Sequence, residues 1–123
     1  MALVRVLVVD DQAPFRRAMR SVVEETDGFE VVGEVESGED SLEAAARLSP
    51  DLVLMDVNLP GIDGLEATRR LLAGDAPPVV LLLSTYDDEA GEGFVAESGA
   101  AGYVTKSAFG PDRLEDAWSA ARA

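Results

Sequence analysis

The sequence predicts an α/β fold in which five βα units alternate strictly and build a five-stranded parallel sheet with helices on both faces. Three observations carry that expectation. "LVRVLVV" (3–9), "LVLM" (52–55) and "VVLLL" (79–83) are short, nearly continuous apolar runs rich in β-branched residues and leucine. Such runs suit strands covered on both faces, as in parallel sheets. Amphipathic helical patterns fill every gap between the runs, which calls for right-handed crossovers rather than hairpins. No linker, repeat or low-complexity segment interrupts the 123 residues, so one domain with a real core is expected over 1–123.

Each element has its own reason. After the first run, Phe15, Met19, Val22 and Val23 fall at helical spacing, with Arg16, Arg17, Arg20 and Glu24 turned outward and Gly28 as a stop. "FEVVGEV" (29–35) alternates, with Phe29, Val31, Gly33 and Val35 on one side and Glu30 and Glu34 on the other. That alternation predicts an edge strand with one wetter face. Ser37 and Asp40 open a second helix carrying Leu42, Ala45 and Ala46. Asp63 and Glu66 resemble a capping box ahead of Leu65, Thr68 and Leu72. Residues 87–98 form the weakest helix, because Gly91 and Gly93 each cost about 1 kcal/mol relative to alanine, and this segment is expected to be mobile. "AGYV" (101–104) is a fifth strand, and Pro111 starts a last helix carrying Leu114, Ala117, Trp118 and Ala121.

Composition excludes several chemistries. The formal net charge is −14, so the domain by itself is a poor partner for nucleic acid, whose phosphates attract Lys and Arg. There is no cysteine and no histidine. A disulfide framework, a thiolate metal site, a histidine base and a phosphohistidine intermediate are all excluded. No apolar run reaches the length of a membrane span and no signal-peptide pattern follows Met1, so a cytoplasmic protein is expected.

The polar residues left at the strand ends point to a site. Asp10 and Asp11 follow the first strand, Asp56 the third, Ser84 and Thr85 the fourth, and Lys106, the only lysine, comes just after the fifth. Open parallel sheets bind ligands outside the carboxyl ends of their strands, so these residues should converge on one crevice. Taken singly, each has an ordinary reading: a helix cap, a turn before "NLPGIDG", a satisfied hydroxyl or a solvated charge. Together they place three acids, a hydroxyl and one lysine on one edge. Carboxylates ~4 Å apart repel by ~4 kcal/mol near a protein surface, so either one takes a proton or a cation occupies the site. All-oxygen ligands select a hard cation, and a small open cluster suits Mg²⁺ better than Ca²⁺. Acids, Mg²⁺, a lysine and a hydroxyl suit phosphoryl chemistry with an aspartate nucleophile.

The set "VVDDQ", "LVLMDVNLPGIDGLE", "VVLLLSTYDDE" and "GAAGYVTKS" resembles the receiver domain of bacterial two-component response regulators over nearly the whole chain. "GFEVVGEVESGEDSLE" and "SGAAGYVTKS" are most similar to the NarL/FixJ-type subfamily. The resemblance implies a flavodoxin-like (βα)5 fold with strand order 2-1-3-4-5. It also implies a phosphorylation-dependent signalling switch that catalyses only its own phosphorylation and dephosphorylation. Asp56 would be the phosphoacceptor for a cognate sensor histidine kinase. Asp10, Asp11, Asp56 and the backbone carbonyl of Asn58 would hold Mg²⁺, with Asp11 favoured over Asp10 as a direct ligand. Lys106 would pair with Asp56 and then bind a phosphoryl oxygen, and Ser84 would contact the phosphoryl group on switching. Tyr103 matches an aromatic that moves with the switch, although an ordinary core or edge tyrosine reads almost as well. Asn58 and Tyr86 would modulate hydrolysis.

The implied output is homodimerisation on phosphorylation, or transcription regulation through a helix-turn-helix domain outside this chain. DNA would be reached only through that domain, and no membrane is involved. Ser107 departs from the family, where a proline often stands, and Thr85 occupies a position that is commonly small. Two rivals come from other classes. One is a haloacid-dehalogenase-like Mg²⁺ phosphatase, which wants a second Asp where Asn58 stands. The other is a receiver-like binding module that works without phosphorylation, although none of the acids or the lysine is missing here.

Overall fold

A computed structural model describes residues 2–122 and contains the five predicted units in the predicted order. They run β1 (Val4–Val9), α1 (Ala13–Glu25), β2 (Phe29–Val35), α2 (Gly38–Leu48), β3 (Leu52–Asp56), α3 (Gly64–Leu72), β4 (Val79–Ser84), α4 (Asp88–Ser98), β5 (Gly102–Thr105) and α5 (Pro111–Arg122). A 3-10 turn, Lys106–Ala108, links β5 to α5. All strand pairs are parallel, and the order across the sheet is β2-β1-β3-β4-β5.

The continuous apolar runs have the predicted cause, because alternate residues of one strand enter two separate cores. Leu7, Val9, Val53, Met55, Val80 and Leu82 pack with Ala44, Leu65, Ala67 and Leu71 of α2 and α3. Their neighbours Val6, Val8, Leu52, Leu54, Leu81 and Leu83 pack on the other face with Met19 and Val23 of α1 and Leu114 of α5. Burying a large aliphatic side chain contributes about 1.5–3 kcal/mol, so these two layers fix which way the central strands face.

β2 is an edge strand, as its alternation predicts, but the assignment of its faces needs correction. Phe29 and Val31 join the α1–α5 core, whereas Val35 packs against the α2–α3 core. The reason is a register shift between Val6 and Leu7. Val6 pairs with Val31 and Leu7 with Gly33, so Val32 is an extra residue that turns the rest of the strand over. Gly33 sits where this bulge presses on α2, and a Cβ there would lie 2.8 Å from Leu48 Cδ1.

Local caps follow the sequence closely. Ser37 Oγ accepts from Asp40 N at 3.0 Å, and Asp63 Oδ1 accepts from Glu66 N at 2.8 Å. The Glu66 carboxylate binds Arg70 and Arg69 instead of returning to the cap, so the predicted box is only half made. Those guanidiniums hold the Glu66 carboxyl below its ordinary pKa. Pro111 opens α5, where its missing N–H is no loss. Among the described residues, no helix is long and apolar enough to cross a membrane.

Candidate functional site

Strand ends bring the site together. Asp10 directly follows β1, Asp56 and Ser84 are the last residues of β3 and β4, and Lys106 is the first residue after β5. All four lie at the carboxyl edge of the sheet, where β1 connects outward to β2 on one side and β3 lies on the other. That reversal of strand order is where open α/β sheets form their ligand crevice. Asp10, Asp56 and Ser84 are buried, and Asp11 is exposed at the mouth.

Carboxylate oxygens of Asp10, Asp11 and Asp56 lie within 4.8 Å of one another, a cluster that could hold a metal ion. Lys106 Nζ stands 2.8 Å from Asp10 Oδ2 and 3.5 Å from Asp56 Oδ1. The predicted pairing of Lys106 with Asp56 is therefore present, but the shorter contact is to Asp10. Asp10 Oδ2 is close enough to that ammonium for an ion pair yet receives no well-aligned hydrogen bond, while Oδ1 accepts from Gln12 N at 2.9 Å. One lysine thus faces two buried carboxylates, with a third nearby.

The shortage of positive charge shows in Asp56. Burial, helped by the charge of Asp10, pushes its pKa up to about 6, while Lys106 and the Asn58 backbone N–H at 3.3 Å from Oδ1 pull it down. A dry carboxylate with too little compensation matches the expectation that this crevice favours a cation. The donor set is all oxygen, which fits a hard divalent ion. Ser84 adds a second mark of an incomplete environment: its Oγ is buried and has no hydrogen-bond partner among the described residues. Buried hydroxyls are nearly always satisfied, so an orphaned one beside an acidic cluster is poised for a further acceptor.

The predicted switch residues meet through the backbone. Tyr103, on β5, is half-buried and donates its hydroxyl to the carbonyls of Ser84 at 3.2 Å and Tyr86 at 2.6 Å. Its ring packs edge-on against Phe94 of α4, which packs edge-on against the exposed ring of Tyr86. Burial, together with Asp88, Asp87 and Asp56, raises the Tyr103 phenol above its ordinary pKa, although the Ser84 contact opposes this. Asn58 is exposed on the loop after β3. That loop closes at Gly64, whose N–H donates to Val57 O at 2.8 Å and where any Cβ would collide with the Asp56 carbonyl.

Three further residues touch the site or its switch tyrosine, and sequence reasoning gave them other roles. Arg16 donates to the Asp10 carbonyl at 2.8 Å and pairs with Glu36 at 3.4 Å. Phe15, placed in the core stripe of α1, lies under the Lys106 ammonium. Gly91, counted as a helix weakness, makes room for the ring of Tyr103. Only Arg16 carried a signal in the sequence, as a cation on the first helical turn after the acidic pair.

Known proteins resemble this chain in sequence and in fold. Residues 6–119 match the response regulator receiver domain. The response regulator GacA of Pseudomonas viridiflava is 44% identical over 106 residues, which is 86% of this chain and 50% of that protein. The chain thus spans about half the length of the curated relatives it matches. Among solved structures, a LuxR-family two-component response regulator from Aurantimonas sp. superposes with a TM-score of 0.85 at 34% identity, covering 97% of this chain and 84% of that one. The signal receiver domain of the response regulator NarL from Mycobacterium tuberculosis gives a TM-score of 0.87 at 28% identity, covering 100% and 99%. These matches support the receiver reading and not the phosphatase one. With the strand order and the acidic crevice they accompany, they show that the chain belongs to the response regulator receiver domain family of two-component systems, on its NarL/FixJ-type side.

Proposed function

We propose that Asp56 is the phosphoacceptor of this domain and takes its phosphoryl group from a phosphohistidine on a cognate sensor histidine kinase. The observation that carries the proposal is the buried Asp56 carboxylate, set between two further acids and Lys106 beside an orphaned Ser84 hydroxyl. An Asp56 oxygen attacks phosphorus, the P–N bond breaks, and the electron pair leaves with the imidazole nitrogen. Asp10, Asp11, Asp56 and the Asn58 backbone carbonyl would hold Mg²⁺, which when bound neutralises charge on the phosphoryl oxygens and the acids. Asp11, at the exposed mouth, is the favoured direct ligand over Asp10, which is already engaged by Lys106.

Transfer of this kind needs little covalent work from the protein, so positioning and charge dominate. Lys106 moves from its carboxylate partners to a phosphoryl oxygen. Ser84 Oγ, with no partner of its own, donates to another. A shift of Ser84 loads the carbonyl that Tyr103 holds, so the β4–α4 loop and Tyr103 respond together. Asn58 and Tyr86, exposed on the two flanking loops, control water access to the acyl phosphate and hence its lifetime.

The output is a changed surface, used for homodimerisation or for contacts with a DNA-binding output domain in transcription regulation. The setting is the cytoplasm, where sensor kinases present their phosphohistidines. The test is to add a small phosphodonor with Mg²⁺ and record the intact mass. A gain of one phosphoryl group that disappears in Asp56→Asn is expected. No gain, or a gain that survives Asp56→Asn, overturns the assignment.

A further inference from the structure

We propose that Phe15 is a positioning residue for Lys106, its ring face holding the ammonium beside Asp10 and Asp56 until a phosphoryl oxygen arrives. This rests on the phosphoacceptor reading only for its consequence in catalysis; the contact itself stands on geometry. Lys106 Nζ lies 3.9 Å from the centroid of the Phe15 ring, well inside cation–π range. The lysine side chain is only 9% exposed, so its charge has little water to fall back on. Beside it lie two carboxylate oxygens at 2.8 and 3.5 Å and the face of the Phe15 ring. Lysine is a flexible four-carbon stem ending in a point charge, and it prefers to reach out to water. The two acids draw it inward, and the ring adds a contact that occupies neither carboxylate oxygen. The ring face attracts the ammonium without taking up any of its N–H donors, so it can pivot from carboxylate to phosphoryl oxygen while still resting on Phe15.

Sequence position explains why α1 can supply this group. Phe15 lies in the first turn of α1, four residues after Asp11, with Met19 one turn further on in the core. Phe15 itself is only half-buried, so it caps the α1 core stripe at the crevice instead of lying deep within it. α1 thereby reaches the residue that β5 delivers from the far side of the crevice.

Lys106 is the sole lysine, which permits a test that needs no phosphorylation. Protein labelled with ¹³C-lysine gives a single set of ε-methylene signals by NMR. In metal-free, unphosphorylated protein those protons are expected to be shielded by the ring, to stay shielded in Phe15→Tyr, and to return to free-lysine values in Phe15→Leu. Unshielded signals in the wild type overturn the proposal. The second measurement is the rate of phosphorylation by phosphoramidate with Mg²⁺. Phe15→Leu should slow it by roughly three- to tenfold, with Phe15→Tyr restoring most of the rate. In a Lys106→Gln background the Phe15→Leu change should have almost no further effect. An equal slowing in both backgrounds means that the ring serves the fold and not the lysine, and overturns the proposal. If Phe15→Leu does not fold, Phe15→Met takes its place. If the wild type accepts no phosphoryl group, the phosphoacceptor reading fails and the NMR result still decides the role of Phe15.

Discussion

Burial of the Asp56 carboxylate comes at a cost to the fold. Its pKa of about 6 is raised chiefly by burial, so the folded state binds that proton more tightly than the unfolded chain does. Ionised Asp56 destabilises the domain above pH 6, and the penalty fades as pH falls toward the ordinary carboxylate range. A rise from 3.8 to about 6 corresponds to as much as about 3 kcal/mol at neutral pH. Asp56→Asn keeps the shape and removes the charge. Metal-free Asp56→Asn is therefore expected to melt several degrees above the wild type at pH 7.5, with the gap closing near pH 4. Thermal melts in a chelator across that range measure it, and a gap independent of pH would contradict the assignment. The same residue shows what a single sequence discloses. Its place after a buried run was legible, whereas its poor compensation was not, because the Lys106 ammonium divides itself between Asp10 and Asp56.

At the level of the element, α4 separates two glycines that look alike in the sequence. A Cβ on Gly93 would meet nothing within 4 Å, whereas one on Gly91 would run into the Tyr103 ring. Gly93→Ala should therefore raise stability by the usual helix gain of about 1 kcal/mol. Gly91→Ala should lose more than that gain, because the ring must leave its seat and release the Ser84 and Tyr86 carbonyls. Denaturant unfolding of the two variants gives opposite signs if this is right, and equal gains would show that Tyr103 is loosely held. Amides of α4 are still expected to exchange with solvent faster than those of β1, β3 and β4. Strand and helix existence was readable because periodicity and caps are local, as with Ser37 and Asp63. The turned-over end of β2, the seat at Gly91 and the ring at Phe15 were not. Each depends on a partner that only the folded chain supplies: Leu7 and Leu48, Tyr103, and Lys106.

For the whole molecule, the excess of acids has a general part and a local part, and the two respond differently to ions. A formal charge of −14 on 123 residues gives diffuse self-repulsion that any salt screens, since the Debye length falls to about 10 Å at 0.1 M. The crevice concentrates three of those acids within 4.8 Å, with two of them buried beyond the reach of screening. A divalent cation that binds the folded crevice and not the unfolded chain must stabilise the fold by mass action. At tenfold excess over its dissociation constant the gain is about 1.4 kcal/mol, or about 5 °C in Tm for a domain of this size. Mg²⁺ is therefore expected to raise Tm beyond NaCl at equal ionic strength, with the increment reversed by chelator. Asp11→Asn should abolish the increment while leaving the NaCl response intact, because Asp11 is exposed and its loss disturbs no packing. The comparison also tests the division of labour between Asp10 and Asp11. If Asp11→Asn keeps the full Mg²⁺ increment, the exposed acid is not the ligand, and the ion must instead displace Lys106 from Asp10.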